Sequence, residues 1–208
     1  GRIEACLGVN QSETLQQSNF FYQYLGIFAM ELARMPYQSK SCLKKLVADT
    51  NLNQLTDILK EGNGCIIATG HFGNWEYAGM ALASYGLPIN VIVKPFKKES
   101  IDLFINKCRQ KTGVKIIYQK DAYRESLRAL KRNEIVVIFL DFDTSPDKGG
   151  IFMPFFGKMA ATIPSAEMMH LKTNAPIVVT RLKRESDLIH FHIEIDQIIN
   201  GSTMSKKN

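Results

Sequence analysis

Residues 65–76 read Cys-Ile-Ile-Ala-Thr-Gly-His-Phe-Gly-Asn-Trp-Glu, and this stretch decides the fold of the 208-residue chain. The apolar run at 65–68 predicts a buried strand, and the Ala-, Leu- and Met-rich stretch after Glu76 predicts a helix. Gly70 and Gly73 allow the chain to turn tightly between the two. Open α/β sheets bind their ligands at the carboxyl ends of their strands, so we expect the chemistry of this protein at the turn.

His71 and Glu76 are the two ionisable side chains of this turn. Five residues on one helix rotate side chains by about 140°, so the two cannot share a helix face and His71 must precede the helix. Glu76, in the first helical turn, can then reach back to the imidazole and fix its tautomer, which leaves the other ring nitrogen as a base. The alternative is a loop histidine beside a glutamate that only complements the helix dipole.

Strands and helices alternate through the rest of the chain. Apolar runs predict strands at 89–93, 114–118, 135–140 and 176–182, and helical periodicity predicts helices at 99–111, 121–132 and 163–173. From 189 to 195 apolar and polar residues alternate, as in a half-buried strand. This order predicts a single α/β domain over residues 1–208, with a mixed, mainly parallel sheet flanked by helices.

The chain upstream of the turn is predicted to be helical. Between Ser12 and Met35 apolar side chains recur at steps of three, four and seven until Pro36, and shorter stripes follow at 43–47 and 55–59. The long stripe is rich in aromatic residues. It predicts a helix that packs on the core, lies in a membrane interface or lines an acyl groove.

Positive charge is concentrated between Pro88 and Lys120, which we call the basic segment. Its seven Lys and one Arg against two acidic residues give a local charge of +6, equal to the net charge of the whole chain. Such a segment is either a solvated surface or a surface for an anionic partner: nucleic acid, anionic lipid or an acidic protein. Aromatic residues that stack on bases are sparse in it, so nucleic acid is the least favoured partner.

Several classes of site lack their sequence signatures. The four cysteines are scattered, and His190 and His192 share a strand face without a third ligand, so we predict neither a disulfide framework nor a metal site. Neither G-x-G-x-x-G nor G-x4-G-K-[ST] occurs, which argues against dinucleotide and ordinary NTP binding. The apolar run from Ile135 to Leu140 is far shorter than the roughly 18 residues that span a bilayer.

Three blocks of the sequence resemble a known family. Residues 70–76, Gly-His-Phe-Gly-Asn-Trp-Glu, resemble the first motif of the lysophospholipid acyltransferase superfamily, in particular its lipid A biosynthesis branch of lauroyl and myristoyl acyltransferases. That branch has Glu where the wider superfamily usually has Asp. The second block, Asp141-Phe142-Asp143, resembles the family's Asp-x-Asp motif. The third resembles its (V)PFFG…AAT motif and consists of residues 150–157 (Gly-Ile-Phe-Met-Pro-Phe-Phe-Gly) and Ala160-Ala161-Thr162, in the expected order.

The resemblance implies a glycerolipid-acyltransferase-like fold and an O-acyltransferase without a cofactor. It implies catalytic roles for His71, Glu76, Arg109 and Asp141. It implies substrate contacts from Asn74, Lys94, Asp143, Phe155, Gly157 and Thr162. Lys94 stands where the family has the Arg of a Tyr-Arg-Pro-like tripeptide, so the charge is kept but the planar fork that binds phosphate is lost. For Asp141, a structural role in capping the loop after its strand is the alternative.

The implied reaction is transfer of a fatty acyl group from an acyl thioester, on acyl carrier protein or coenzyme A, to a hydroxyl of a lipid A precursor. His71 would remove the hydroxyl proton, Glu76 would steady the imidazolium, and backbone amides near Gly73 or Gly157 would hold the oxyanion. No serine lies in a G-x-S-x-G elbow, so we expect no acyl-enzyme. The rival hypotheses are an acyltransferase for a lysophospholipid or an amino-acid lipid, and a non-catalytic module that binds lipid or carrier.

The family also implies a location at the cytoplasmic face of the inner membrane. Acyl carrier protein and an anionic membrane surface are the implied partners. Family members usually begin with one membrane helix and end with a Pro-Glu-Gln…Trp…Arg segment, and neither pattern is found in this sequence. We therefore expect an excised or incomplete chain without a transmembrane segment of its own.

Overall fold

The computed structural model describes residues 2–48 and 51–201. In this part of the chain the helices are α1 Arg2–Leu7, α2 Gln11–Arg34, α3 Lys40–Leu46, α4 Leu52–Lys60, α5 Trp75–Ser84, α6 Glu99–Thr112, α7 Ala122–Lys131 and α8 Ser165–Thr173. The strands are β1 Val47–Ala48, β2 Cys65–Thr69, β3 Ile89–Val93, β4 Lys115–Tyr118, β5 Ile135–Phe139, β6 Ile151–Phe155, β7 Lys158–Thr162, β8 Ile177–Arg184 and β9 Phe191–Ile199. Short 3-10 helices lie at Met35–Tyr37, Gln119–Asp121 and Pro146–Lys148.

Seven of these strands form one mixed sheet in the order β1-β9-β8-β2-β5-β3-β4. The five strands from β8 to β4 in this order are parallel, β9 is antiparallel to β8, and the two-residue β1 is parallel to β9. Strands β6 and β7 form a separate antiparallel hairpin. The predicted fold class, α/β with a mixed, mainly parallel sheet flanked by helices, is confirmed.

The central strands β2 and β5 are buried because helices cover both faces of the sheet. Residues 65–68 and 135–138 are all buried. On one face Ile66 packs in a cluster with Leu130 of α7 and Met169 of α8. Helix α5 contacts both α3 and α6, and right-handed crossovers place α5 and α6 on the other face. Double covering explains why these strands are continuous apolar runs.

The chain reverses its winding direction between β2 and β5. From β2 the connection through α5 leads to β3 on one side, and from β5 the connection through α8 leads to β8 on the other side. At such a point the two connections leave on opposite faces and open a crevice outside the carboxyl ends of the strands. By this rule the ends of β2 and β5 are where a ligand-binding crevice is expected.

The chain divides into two compact units. Within the described residues the larger unit comprises 37–48, 51–141 and 164–201 and contains the seven-stranded sheet. The smaller unit comprises residues 2–36 and 142–163, and it contains α1, α2 and the β6–β7 hairpin. The crevice between β2 and β5 is thus a feature of the larger unit.

Helix α2 begins one residue before its predicted start. Asn10 and Glu13 form a reciprocal capping box there, which satisfies two backbone N–H groups of the first turn. Of the predicted apolar stripe, Phe28 is buried, whereas Phe21 and Leu25 are exposed. Core packing, the first interpretation of this stripe, is therefore wrong for Phe21 and Leu25.

Two features of the strands differ from the sequence predictions. The last strand begins at Phe191 instead of Ile189, because Asp187 accepts the N–H groups of Ile189 and His190 in a turn before it. The β6–β7 hairpin is not predicted from periodicity, because apolar side chains occupy both of its faces.

Candidate active site

Two side chains follow the central strands at the same distance. Thr69 of β2 pairs with Phe139 of β5 in the parallel register, and the N–H of Leu140 donates to the carbonyl oxygen of Thr69 at 3.0 Å. His71 and Asp141 each come two residues after that pair. The register therefore brings an imidazole and a carboxylate together in the crevice.

Asp141 uses both carboxylate oxygens on His71. Nδ1 of His71 lies 2.8 Å from Oδ1 of Asp141, and the backbone N–H of His71 donates to Oδ2 at 2.7 Å. A carboxylate at Nδ1 favours the tautomer with its proton there, so Nε2 is the ring atom suited to accept a proton. The side chains of His71 and Asp141 are 27% and 35% exposed, so the pair can be reached from solvent.

Two aromatic rings fix the orientation of the imidazole. Phe139 stacks on it with ring centroids 4.5 Å apart, and Trp75 meets it edge to face at 4.7 Å. Phe139 is the last residue of β5 and Trp75 is the first of α5, so regular elements hold both rings. The direction of Nε2 is therefore defined before any substrate binds, which is the geometric requirement for base catalysis.

The turn between β2 and α5 needs glycine at Gly73 and leaves little room for a side chain at Gly70. Gly73 has φ +58°, and a Cβ atom there would lie 2.5 Å from the carbonyl oxygen of Leu182 on β8. A Cβ atom on Gly70 would lie 3.2 Å from Oδ2 of Asp141. A larger residue in place of Gly73 would displace the loop that carries His71, and one in place of Gly70 would crowd the side chains of Phe72 and Asp141.

The carboxylate of Glu76 pairs with Arg109 and not with the imidazole. Nε of Arg109 donates to Oε2 of Glu76 at 2.7 Å, and Nη2 donates to Oε1 at 2.5 Å. Both residues are 8% exposed. The predicted contact between Glu76 and His71 is therefore wrong, because the second residue of α5 faces α6, where a buried guanidinium needs a carboxylate.

A chain of buried polar side chains extends from this ion pair. Nη1 of Arg109 donates to Oδ1 of Asn106 at 2.8 Å, and Nδ2 of Asn106 donates to Oδ2 of Asp102 at 3.0 Å. The hydroxyl of Tyr118 also donates to Oδ2 of Asp102, at 3.2 Å. The other oxygen of Asp102 accepts the backbone N–H of Phe96 at 2.9 Å. This network fixes the loop that follows β3.

Sequence reasoning missed Asp102 and Asn106, although a signal for them exists. With Arg109 they lie at steps of four and three along α6, so the three share one helix face. Ile105 and Cys108 of the same helix are buried as well. Polar side chains on a buried helix face need hydrogen-bond partners, so this spacing predicts a polar network.

The six predicted substrate-contact residues are divided between the two units. Asn74 is buried, and its Oδ1 accepts the N–H of Tyr77 as the N-cap of α5. Lys94 is exposed directly after β3, at the carboxyl edge of the sheet. The smaller unit contains the other four: Asp143, Phe155, Gly157 and Thr162. The geometry thus gives Asn74 a capping role and leaves Lys94 available to solvent.

The two histidines near the last strand are paired with carboxylates. His190 lies beside Asp187, and His192 lies between Glu185 and Glu194. The hydrogen bond to Glu194 raises the pKa of His192. Within residues 2–48 and 51–201, no group of three or more His, Cys, Asp and Glu side chains is arranged to hold a metal ion.

Comparison with known protein families identifies the family of this chain. Residues 3–205 match the model of the bacterial lipid A biosynthesis acyltransferase family. The chain belongs to this family. The family predicted from the three sequence blocks is thereby confirmed.

Curated relatives carry two kinds of name. A lipid A biosynthesis acyltransferase of Haemophilus influenzae is 21% identical over 171 residues, which cover 82% of this chain and 54% of that protein. A phosphatidylinositol mannoside acyltransferase of Mycolicibacterium smegmatis is 21% identical over 161 residues, which cover 76% of this chain and 52% of that protein. One of Mycobacterium tuberculosis is 22% identical over 161 residues, which cover 74% of this chain and 50% of that protein. The chain spans about half the length of the curated relatives it matches.

This member of the lipid A biosynthesis acyltransferase family carries a hydrogen-bonded histidine–aspartate pair at the ends of β2 and β5. The site unites the first family motif, through His71, with the later Asp-x-Asp block, through Asp141. Among the described residues, no helix combines the length and the apolar character needed to cross a bilayer.

Proposed function

We propose that this protein is an O-acyltransferase that moves a fatty acyl group from a thioester on acyl carrier protein to a hydroxyl of a lipid A precursor. The observation that supports this best is the pair of His71 and Asp141 in the crevice between β2 and β5. A hydroxyl is a poor nucleophile until a base removes its proton, and an oriented imidazole at this edge of the sheet is suited to that task.

His71 acts as the general base through Nε2. The acceptor hydroxyl gives its proton to this nitrogen as its oxygen attacks the thioester carbonyl carbon. The tetrahedral intermediate then breaks its C–S bond, and the imidazolium returns the proton to the departing thiolate. The products are an ester and a thiol, and base catalysis of this kind contributes roughly 10²–10⁴-fold.

Asp141 takes the role that the first motif suggests for Glu76. Its Oδ1 faces Nδ1 of the ring, and the bond from Oδ2 to the backbone of His71 keeps the carboxylate from turning away. A negative charge in this position stabilises the imidazolium that forms as the proton arrives. Glu76 and Arg109 enter the proposal as a buried pair that holds α5 against α6.

Transfer is direct in this proposal, and the two buried cysteines are poor candidates for an acyl-enzyme. Burial raises the pKa of the Cys65 thiol on β2 to about 12. Burial also raises the pKa of Cys108, the neighbour of Arg109 on α6. Both side chains therefore stay protonated near neutral pH, whereas a nucleophilic cysteine must be a thiolate.

The oxyanion needs donors beyond the first two amides of the loop. The N–H groups of His71 and Phe72 already donate to Asp141 and to the carbonyl oxygen of Gly70. Of the amides predicted as oxyanion donors, we assign those near Gly73, which lie on the same loop as His71. Lys94, exposed after β3, is the cation we assign to the phosphates of the lipid acceptor, because it lies at the same sheet edge as the crevice.

The basic segment offers a surface to an acidic acyl carrier protein or an anionic membrane. Its Arg109 and Lys115 are paired with Glu76 and Glu134. Besides Lys94, four of its lysines are exposed on the loop after β3 and on α6: Lys97, Lys98, Lys107 and Lys111. Exposed charge of one sign attracts the opposite sign and raises association rates. The same proposal locates the reaction at the cytoplasmic face of the inner membrane.

Turnover of defined substrates tests this function. Purified full-length protein is incubated with thioesters of acyl carrier protein or coenzyme A and a lipid A precursor, and thiol release and product mass are measured. We expect an acceptor heavier by one acyl group. A glycosylated phosphatidylinositol is tested in parallel, because two of the relatives are named for such an acceptor.

His71→Ala should lower the rate at least about 100-fold while the protein stays folded, because His71 lies in a loop and base catalysis contributes roughly this much. His190→Ala is the matched control, since that histidine also pairs with an aspartate but lies beside the last strand. A His71→Ala variant within tenfold of wild type, or thiol release without an acylated lipid, would contradict the proposal.

A further inference from the structure

The β6–β7 hairpin is apolar on both of its faces. Alternation along the strands and the cross-strand register define the two faces. One face carries Ile151, Met153 and Phe155. The other face carries Phe152, Pro154 and Met159. Residues 151–159 are all exposed, and Lys158 is the only charged side chain among them.

The hairpin is fixed at its base and aromatic at its tip. At the base Ala161 is buried, and its carbonyl oxygen accepts the N–H of Thr144 at 3.1 Å. At the tip Phe156 and Gly157 have φ values of +48° and +70°, as in a type I′ turn. The rings of Phe155 and Phe156 meet edge to face there, with centroids 4.7 Å apart. The base thus holds the apolar tip in a defined direction.

Both faces of this ribbon need apolar surroundings. A two-stranded hairpin is marginally stable in water, and contiguous exposed apolar surface marks an interaction site. A folded protein partner typically covers one face of such a ribbon and leaves the other in water. Lipid surrounds an inserted element, so it satisfies both faces at once.

The backbone limits how deeply the hairpin can lie. In the described part of the chain β6 and β7 pair only with each other, so their outer N–H and C=O groups need polar partners. The hydrocarbon core offers none, whereas the head-group region does. A strand of five residues is about 17 Å long. Lys158, beside the tip, can extend its ammonium to lipid phosphates while its stem lies along the apolar surface.

We propose that the β6–β7 hairpin inserts shallowly into the interface of a bilayer that contains anionic lipid. This rests on the proposed function, because an enzyme whose acceptor is a lipid must meet that acceptor at a bilayer surface. It assigns a membrane contact to Phe152, Phe156 and Met159. None of these three is among the predicted site residues.

Vesicle binding of a hairpin variant tests the proposal. In Phe152→Thr/Phe156→Asn/Met159→Thr, threonine preserves strand propensity and Asn-Gly is the preferred type I′ pair, so the hairpin should stay folded. Flotation with phosphatidylcholine vesicles containing 30% phosphatidylglycerol should show affinity at least tenfold lower than wild type. Lys158→Gln should reduce the preference for anionic over neutral vesicles. Equal binding of wild type and the triple variant would overturn the proposal.

Met168→Ser/Leu171→Ser is the matched control. These side chains on α8 are exposed to a similar degree, 48% and 65%, against 56–60% for the three hairpin residues. If the hairpin acts through its position and not through total apolar surface, the α8 variant should bind vesicles as wild type does. Equal losses in both variants would mean non-specific adsorption and would overturn the proposal.

A tryptophan reporter measures the depth of insertion. The protein has one tryptophan, Trp75, so the emission of a Phe152→Trp variant is read as the difference from wild type. We expect a blue shift on vesicle addition, with strong quenching by lipids labelled near the head group and weak quenching by lipids labelled at the bilayer centre. Emission that is blue-shifted without vesicles and unchanged by them would show that the hairpin is covered by protein instead, either a second copy or another segment of the full-length protein.

The two proposals fail in different measurements. Vesicle binding needs no turnover, so it tests the membrane contact of the hairpin independently of acyl transfer. With a detergent-dispersed acceptor the triple variant should turn over within about threefold of wild type, whereas with vesicle-embedded acceptor its rate should fall at least tenfold. A triple variant that loses both activities equally, with unchanged circular dichroism, would make the hairpin a substrate-binding element and overturn the membrane assignment.

Discussion

The buried pair of Glu76 and Arg109 allows the sharpest test of the structure. Glu76→Gln keeps the size of the side chain but leaves a guanidinium buried opposite a neutral amide. Two short hydrogen bonds are weakened, and hydrogen bonds to charged groups contribute about 1.5–3 kcal/mol each. Neutralising one partner of a buried ion pair costs about 3–5 kcal/mol in total, so we expect a loss of that size in the free energy of unfolding.

The loss is measured by urea unfolding followed by circular dichroism. A domain of this size loses about 2–4 °C of melting temperature per kcal/mol, so the melting temperature should fall by about 6–20 °C. Arg109→Met should cost a similar amount. The double variant should cost clearly less than the sum of the single variants, because no unpaired charge is then buried.

Glu125→Gln is the matched control, because Glu125 and Arg128 have the same closest approach of 2.5 Å as the buried pair. Their side chains are 42% and 58% exposed, and an exposed pair of this kind contributes at most about 1 kcal/mol. The contrast between the two glutamates isolates burial as the cause. If Glu76→Gln instead stays within about 1 kcal/mol of wild type while kcat collapses, Glu76 acts on the imidazole and the assignment to Arg109 is refuted.

Three further predictions address the base, the stability and the surface charge. Asp141→Asn should lower kcat by about 100-fold or more with little change in KM, because an amide cannot stabilise the imidazolium. Steady-state kinetics measure both constants, and a defect that lies mainly in KM would refute this role. Burial alone would raise the pKa of Glu134, but hydrogen bonds from Arg132, Lys115 and Asn90 lower it to about 2. The stability that Glu134 contributes is therefore present above its unfolded pKa and lost as pH falls from about 4.5 to 2, and urea unfolding of Glu134→Gln should show a flatter pH dependence there. Reversal of Lys97, Lys98, Lys107 and Lys111 to glutamate should raise KM for the carrier-linked donor more than it lowers kcat. It should also flatten the dependence of activity on salt between about 0.05 and 0.5 M. An unchanged KM at low salt would mean that the segment is only a solvated surface.

The strand, turn and helix at 65–76 were predictable because their causes are local. A continuous apolar run marks a strand that is covered on both faces, and Asn74 supplies the cap that starts α5. The same holds for the alternation of strands and helices, from which the α/β class follows. Periodicity of a few residues carries this information, and no long-range contact is needed to interpret it.

The partner of His71 was not predictable from spacing, because it depends on the order of strands in the sheet. Asp141 lies 70 residues away along the chain and reaches the imidazole only because β5 is the neighbour of β2. Glu76 and Arg109 are 33 residues apart and meet because their helices pack side by side. Sequence distance says nothing about either contact. The β6–β7 hairpin escaped prediction for another reason, since strands that are apolar on both faces have no period of two.

The five-residue spacing of His71 and Glu76 has a physical cause other than contact between the two side chains. His71 must lie in the turn to face the end of β5, whereas Glu76, one residue past Trp75, must lie in the helix to reach Arg109. Trp75 links the two tasks, because it packs against the imidazole while its neighbour anchors α5 to α6. Loss of the buried pair would loosen the start of α5, move the Trp75 ring and release the imidazole. A Glu76 variant should therefore lose activity even though its carboxylate does not touch His71, so activity alone cannot distinguish an anchor from a catalytic carboxylate, and the stability of the buried pair decides between them.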